Sequence, residues 1–270
     1  MSELPNPLSA LGSAAGLPPG RLVTRDARRR LRRTRQEPVL WLSDGPVDAP
    51  AAAYPAPPGL RTVLLHDRHG PEEWWDTREF LRPEWTSAPD DHHVQPVLRE
   101  FWEAVVPDPE EGREGEDLIA PFGRAWPGLA EAGRAREADP DAGADGLARQ
   151  LIRDGSLGRP RLALVPAGRG ADIPAAIGWA GPVNHENDTG RISAVLRSWE
   201  DRYGVRVLAL GFATLDLYVP APPRTLAEAL PLAAEHFAFA PDNVCQGSGT
   251  VRDYAQEALI GSTHWSFWWD

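Results

Sequence analysis

The chain has 270 residues, 42% of them apolar and 25% charged, enough for one large domain or two modest ones with a real core. All 28 basic residues are arginines, which excludes a Walker-type phosphate-loop lysine, a Schiff-base lysine and a lysine general base. The one cysteine, Cys245, likewise excludes an intrachain disulfide, an all-cysteine zinc cage and a self-contained iron–sulfur site.

The net charge of −11 is unevenly spread, because Arg21 to Arg35 holds eight arginines against one acid, Asp26. The body left over is strongly acidic and repels phosphate backbones, so nucleic acid is expected only through the arginine-rich arm, if anywhere. The alternative is that the arm folds back on its own acidic body. No apolar stretch reaches the ~18 residues of a membrane span. Met1 to Gly20 lacks the leading basic residues of a secretory signal. With a lone thiol, the expectation is a cytoplasmic protein without a membrane partner.

In chain order, residues 1–36 read as a flexible arm. Val39–Leu42 and Arg61–His66 then read as short strands, each an apolar run closed by turn formers. From Pro96 a helix is predicted, with Val97, Leu98, Phe101, Trp102 and Val105 on one face and Pro107 as its end. Asp108–Asp117 and Glu131–Asp145 read as exposed linkers flanking an apolar island, Leu118–Leu129. This makes 37–107 an N-terminal α+β region, 108–145 a linker and 146–270 a C-terminal domain.

The C-terminal half has sharper signals. A short helix around Leu147, Leu151 and Ile152 precedes a buried strand, Arg161–Pro166. Ile192, Val195, Leu196, Trp199 and Tyr203 form the stripe of a helix over Thr189–Tyr203, with Gly204 as its stop. Strands follow at Val205–Leu210 and Leu215–Val219. Thr225 with Glu228, and Thr250 with Asp253, have the spacing of helix capping boxes. Pro231 falls inside the first of those helices and is expected to kink it. Thr263–Trp269 alternates as an aromatic strand, with Trp265, Phe267 and Trp269 on one face and Trp268 on the other. The fold class is α+β: a C-terminal mixed sheet of about four strands packed by helices, beside a smaller N-terminal α+β region.

Four segments carry a resemblance. They are Ile177–Asn184 (Ile-Gly-Trp-Ala-Gly-Pro-Val-Asn), Arg197–Gly204 (Arg-Ser-Trp-Glu-Asp-Arg-Tyr-Gly), Ala233–Phe237 followed by Pro241-Asp242, and Trp265–Asp270. Together, over roughly 161–270, they resemble the domain of unknown function 4253 of high-GC Gram-positive bacteria. Pro38–Asp44 and Gly59–Asp67 are similar to the leading part of its longer members. The resemblance implies a fold and no reaction.

The densest polar constellation is Trp179–Asp188, leading into a helix N-terminus, a natural place for an anion. There Asn184, His185 and Glu186 can orient a ligand or relay a proton, or Asn184 and Asp188 can simply satisfy backbone groups. Trp268 and the terminal Asp270 extend that face on the last strand, whose rings serve equally well as core. A non-catalytic module that recognises a partner protein or small ligand is therefore the leading expectation, using Trp179, Asn184, His185, Glu186, Asp188, Glu235, Trp268 and Asp270. A hydrolase or transferase built on Asn184, His185 and Glu235 is the alternative. No cofactor and no metal are expected: His66 with His69 and Asp67, and His92-His93, match no zinc spacing. Cys245 needs His236 or His264 nearby to become a nucleophile. The hinge of this reading is that the final seven residues lie extended beside the preceding strands, bringing the Asn184 turn next to the chain's end.

Overall fold

A computed structural model describes residues 6–11, 16–27, 35–67, 71, 74, 86–133 and 139–270. Seven strands make one mixed sheet: β1 (Gly20–Ala27), β2 (Arg35–Ser43), β3 (Arg61–Leu65), β4 (Arg161–Val165), β5 (Arg206–Leu210), β6 (Thr214–Tyr218) and β7 (His264–Trp268). Their spatial order is β1-β2-β4-β3-β5-β6-β7. The class is α+β as expected, but the sheet is larger than four strands because the N-terminal strands join it.

Strand β3 lies between β4 and β5, antiparallel to the first and parallel to the second. Strand β2 flanks β4 on its other side. The sheet therefore runs across the boundary drawn at 108–145. Part of the segment expected to be a flexible arm is also sheet: β1 pairs with β2 from Gly20↔Ser43 to Ala27↔Arg35. Residues 28–34, which hold most of its arginines, lie outside the described residues.

Alternation along the strands divides the core. Val63, Leu65, Ala163, Val165, Leu215, Leu217, Trp265 and Phe267 face a large cluster under the main helices. Leu64, Leu162, Leu164, Leu208 and Tyr218 face a smaller one. The large side is covered by α1 (Val94–Val105), α2 (Gly112–Ile119) and, after α3 (Pro140–Arg153), by α4 (Ile173–Ile177), α5 (Thr189–Tyr203), α6 (Leu226–Phe239) and α7 (Val251–Tyr254). Helix α3 covers the small side.

Both stretches expected as linkers contain helix. In α2 the buried Gly115 and Ile119 form one side of a short amphipathic turn. Helix α3 begins inside the Ala/Gly/acid stretch because Asp139 caps it, accepting from Asp141 N–H (3.0 Å), and Pro140 takes the first turn, where no N–H is required. The clearest helix has the predicted ends: Asp188 caps α5 and Gly204, at φ +71°, stops it. Thr225 and Thr250 are N-caps, accepting from Glu228 N–H (3.3 Å) and Asp253 N–H (3.0 Å). Helix α6 runs on through Pro231. Among the described residues no helix is long and apolar enough to cross a membrane.

Candidate functional site

The expected neighbourhood forms. Strand β7 pairs with β6 from Thr214↔Trp268 to Tyr218↔His264. Asn184 Nδ2 donates to the Asp270 carbonyl at 2.9 Å, so the turn and the last strand meet. On the open edge of β7, the Asn243 side chain acts as a short substitute strand. Its Nδ2 donates to Ser266 O (2.7 Å) and its Oδ1 accepts from Trp268 N–H (3.1 Å), which blunts an edge that would otherwise invite pairing.

Most of the proposed recognition residues are, however, committed internally. Trp179 is fully buried, donates to Gly211 O (3.0 Å) and meets the buried Trp269 edge-on. Trp265 and Phe267 are buried too, and only partly buried Trp268 faces the other side of the sheet. Asp188 fills the α5 N-terminus with its own carboxylate, accepting from Gly190 N–H and Ser87 N–H (both 2.9 Å). Glu186 accepts from Asp188 N–H (2.8 Å) and lies 3.2 Å from Arg191 Nε. His185 packs edge-on against Phe101, and burial lowers its pKa despite a bond with the Ala238 backbone and the charge of Asp242. The hollow along Gly178–Val183, Glu186 and Thr189 has no room for a water molecule.

Ser87, His92 and Asp188 have the composition of a catalytic triad and the wrong wiring. Ser87 Oγ contacts His92 Nε2, but it also donates to Asp188 Oδ2 (2.7 Å). That carboxylate is 3.7 Å from the same His92 Nε2. A triad needs the acid on the far nitrogen, where it orients the imidazole. Here the three fasten residues 86–92 onto α5. Asn184, His185 and Glu235 line neither of the two large clefts described below. Cys245 is exposed, whereas His236 is fully buried beside Tyr254 OH (3.0 Å) and its pKa is driven well down by burial.

The best-built polar group joins two of the quoted segments. Glu235, fully buried on α6, accepts from Ala130 N–H and Arg202 Nη1 on Oε1 (2.7 and 2.8 Å). On Oε2 it accepts from Trp199 Nε1 and Arg202 Nη2 (2.7 and 2.5 Å). Arg202 also donates to Ala130 O (2.9 Å) and to Ser198 Oγ (3.0 Å). Trp199 is stacked on Phe267 (5.4 Å) and edge-on to Phe239 and Trp265. Residues 161–270 match the family model described as domain of unknown function (DUF4253). No curated protein and no solved structure matches the chain. The DUF4253 region thus supplies Trp199, Arg202 and Glu235, while their guest, Ala130, comes from outside it.

Above this group lies a cleft of about 510 Å³. One wall is the 127–133 strap with Phe122; the others are Tyr203, Ala221–Arg224 and the first turns of α6 through Ala227, Glu228 and Pro231. Burial, followed by the charge of Glu235, pushes the Tyr203 phenol up, so it stays a neutral donor, to Glu131 O at 2.7 Å. A second cleft of about 440 Å³ lies between α3 and the sheet; its Arg169 and Arg206 are already paired with Glu200 and Asp141. Sequence reasoning found Glu235 but not the cleft, which depends on a strap held by its main chain and so leaves no side-chain signature.

On the small-cluster face, Asp216 sits between His264 Nε2 (2.9 Å) and His66 Nε2 (3.5 Å). Burial pushes its carboxyl up, but the bonds and charges of the two histidines outweigh this and hold it well below the usual range. Among the described residues no three such side chains are placed to hold a metal. A depressed carboxylate contributes stability above its unfolded value of about 4, lost as pH falls toward the folded value. The stability gap between wild type and Asp216→Asn is therefore expected to shrink as pH drops from 5 to 3. Urea melts across that range check this, and a constant gap contradicts it.

Proposed function

We propose that the protein is a non-catalytic binding module whose ligand site is the cleft between the 127–133 strap and α6. The cleft's volume of about 510 Å³ carries the reading, since small-molecule sites fall in the range of roughly 300–1,000 Å³. Pro127, Pro222, Pro223 and Pro231 give it rigid stretches of wall without N–H donors, beside the charged Glu131, Arg224 and Glu228. Pro231 has no N–H, so the Ala227 carbonyl one turn back loses its usual helical donor. An apolar body carrying one hydrogen-bond donor suits that lining. Glu235, behind the cleft, already accepts four hydrogen bonds, and Glu228 in its lining accepts from Arg224 N–H at 2.7 Å, which favours binding over acid–base chemistry. The Trp179–Asp188 turn, with Trp268 and Asp270, then serves to close the sheet behind the site.

The probe 1-anilinonaphthalene-8-sulfonate has fused rings and one N–H. It is expected to bind saturably to the wild type, and Ala227→Trp, which fills the cleft from the exposed side of α6, is expected to weaken it at least tenfold, about 1.4 kcal/mol. Fluorescence titration reads both. Equal binding by the folded variant removes the cleft from consideration.

A further inference from the structure

The 129–133 strap has no helix or turn; Leu129 and Ala130 pack on the large core cluster, and the DUF4253 region makes its hydrogen bonds to the strap's main chain. Ala130 N–H donates to Glu235 (2.7 Å) and Ala130 O accepts from Arg202 (2.9 Å). Glu131 O accepts from Tyr203 OH (2.7 Å), and Gly133 N–H donates to Arg202 O (3.0 Å). Side chains are restricted rather than read. Ala130 is buried, and a Cβ added to Gly133 would sit 2.5 Å from Ala221 O and 2.7 Å from the Tyr203 ring. Four main-chain bonds with small residues required at two positions is the chemistry of peptide capture, in which backbone bonding supplies affinity and steric room supplies selection.

We propose that Arg202, Tyr203 and Glu235 form a peptide clasp. The chain's own strap occupies it in cis, and a separate peptide with small residues at the Ala130 and Gly133 positions can occupy it in trans. The clasp residues lie within 161–270 and the strap lies outside, so the receptor and its occupant are separate parts of the chain. A tethered occupant competes at an effective concentration on the order of millimolar, so the intact protein masks the site until the strap is loosened. This inference concerns the strap itself and stands apart from what fills the cleft beside it.

The test uses the full chain with Gly133→Val, which cannot seat the strap's end, and a fluorescent peptide spanning residues 128–134. Binding at least tenfold tighter to the variant than to the wild type is expected by fluorescence anisotropy. The same peptide N-methylated at the Ala130 position has lost the N–H that meets Glu235 and is expected not to bind. Gly133→Ala, which adds a single Cβ, takes the place of the valine variant if the latter does not fold. Tyr203→Phe added to either variant is expected to weaken the peptide severalfold. No binding to a folded Gly133 variant overturns the proposal, as does equal binding of the N-methylated peptide.

Discussion

Replacing Glu235 with alanine is expected to lower stability by about 3–5 kcal/mol, the range for removing one partner of a buried ion pair. The fully buried carboxylate is the acceptor for Trp199 Nε1, Ala130 N–H and both ends of the Arg202 guanidinium. Without it, Arg202, whose side chain is 15% exposed, keeps its charge with no counterion. Two further donors are left unpaired, and each such loss is costly in the interior. A surface pair removed the same way costs about 0–1 kcal/mol. Glu235→Gln is expected to fall between, because its oxygen can still accept while its NH2 faces the guanidinium. Urea unfolding followed by tryptophan fluorescence measures the difference. A loss under 1 kcal/mol for Glu235→Ala would mean that the network is not holding these elements together.

That network also marks how far the sequence could be read. Helix α5 was legible at both ends because Asp188, the apolar stripe and Gly204 all signal locally. An acid in Ala233–Phe237, among residues otherwise almost all apolar, required a partner, since a lone buried charge is not tolerated. Its partner on α5 is 33 residues away, and spacing cannot announce a pairing between two helices. Strand β1 was missed for another reason: the arginines of Arg21–Arg35 gave a charge signal that drowned the alternation leading to buried Val23. The aromatic terminal strand was read correctly, down to Trp268 facing away from Trp265 and Phe267, because a period of two needs no tertiary knowledge. The turn at Asn184 was placed beside the chain's end correctly. Its residues proved to bind their own backbone and neighbours, an outcome that composition leaves open.

Strand β3 is legible as a strand, but its place between β4 and β5 is not, and its removal should have the largest effect. A fragment of residues 146–270 contains the whole DUF4253 match yet is expected not to fold cooperatively. In the intact sheet, β3 pairs with β4 from Arg61↔Val165 to Leu65↔Arg161, and with β5 at Leu64↔Ala209 and Leu65↔Leu210. Without it, β4 and β5 have no common neighbour, and the sheet separates in its middle rather than at an edge. Val63, Leu64 and Leu65 are all fully buried. At roughly 1.5–3 kcal/mol for each such side chain, their loss is comparable with the 5–15 kcal/mol that holds a typical domain folded. The fragment also lacks Ala130, which satisfies one oxygen of Glu235. A longer fragment, residues 35–270, keeps β2 and β3 and gives up the edge strand β1 with the N-terminal turn of Leu8 on the smaller cluster, so it is expected to unfold cooperatively, though at lower temperature than the full chain. Near-UV circular dichroism and thermal melts of the two fragments provide the comparison. A sharp melt with native-like aromatic signal from 146–270 would show that the C-terminal strands close without β3, and that the sheet is two units laid edge to edge.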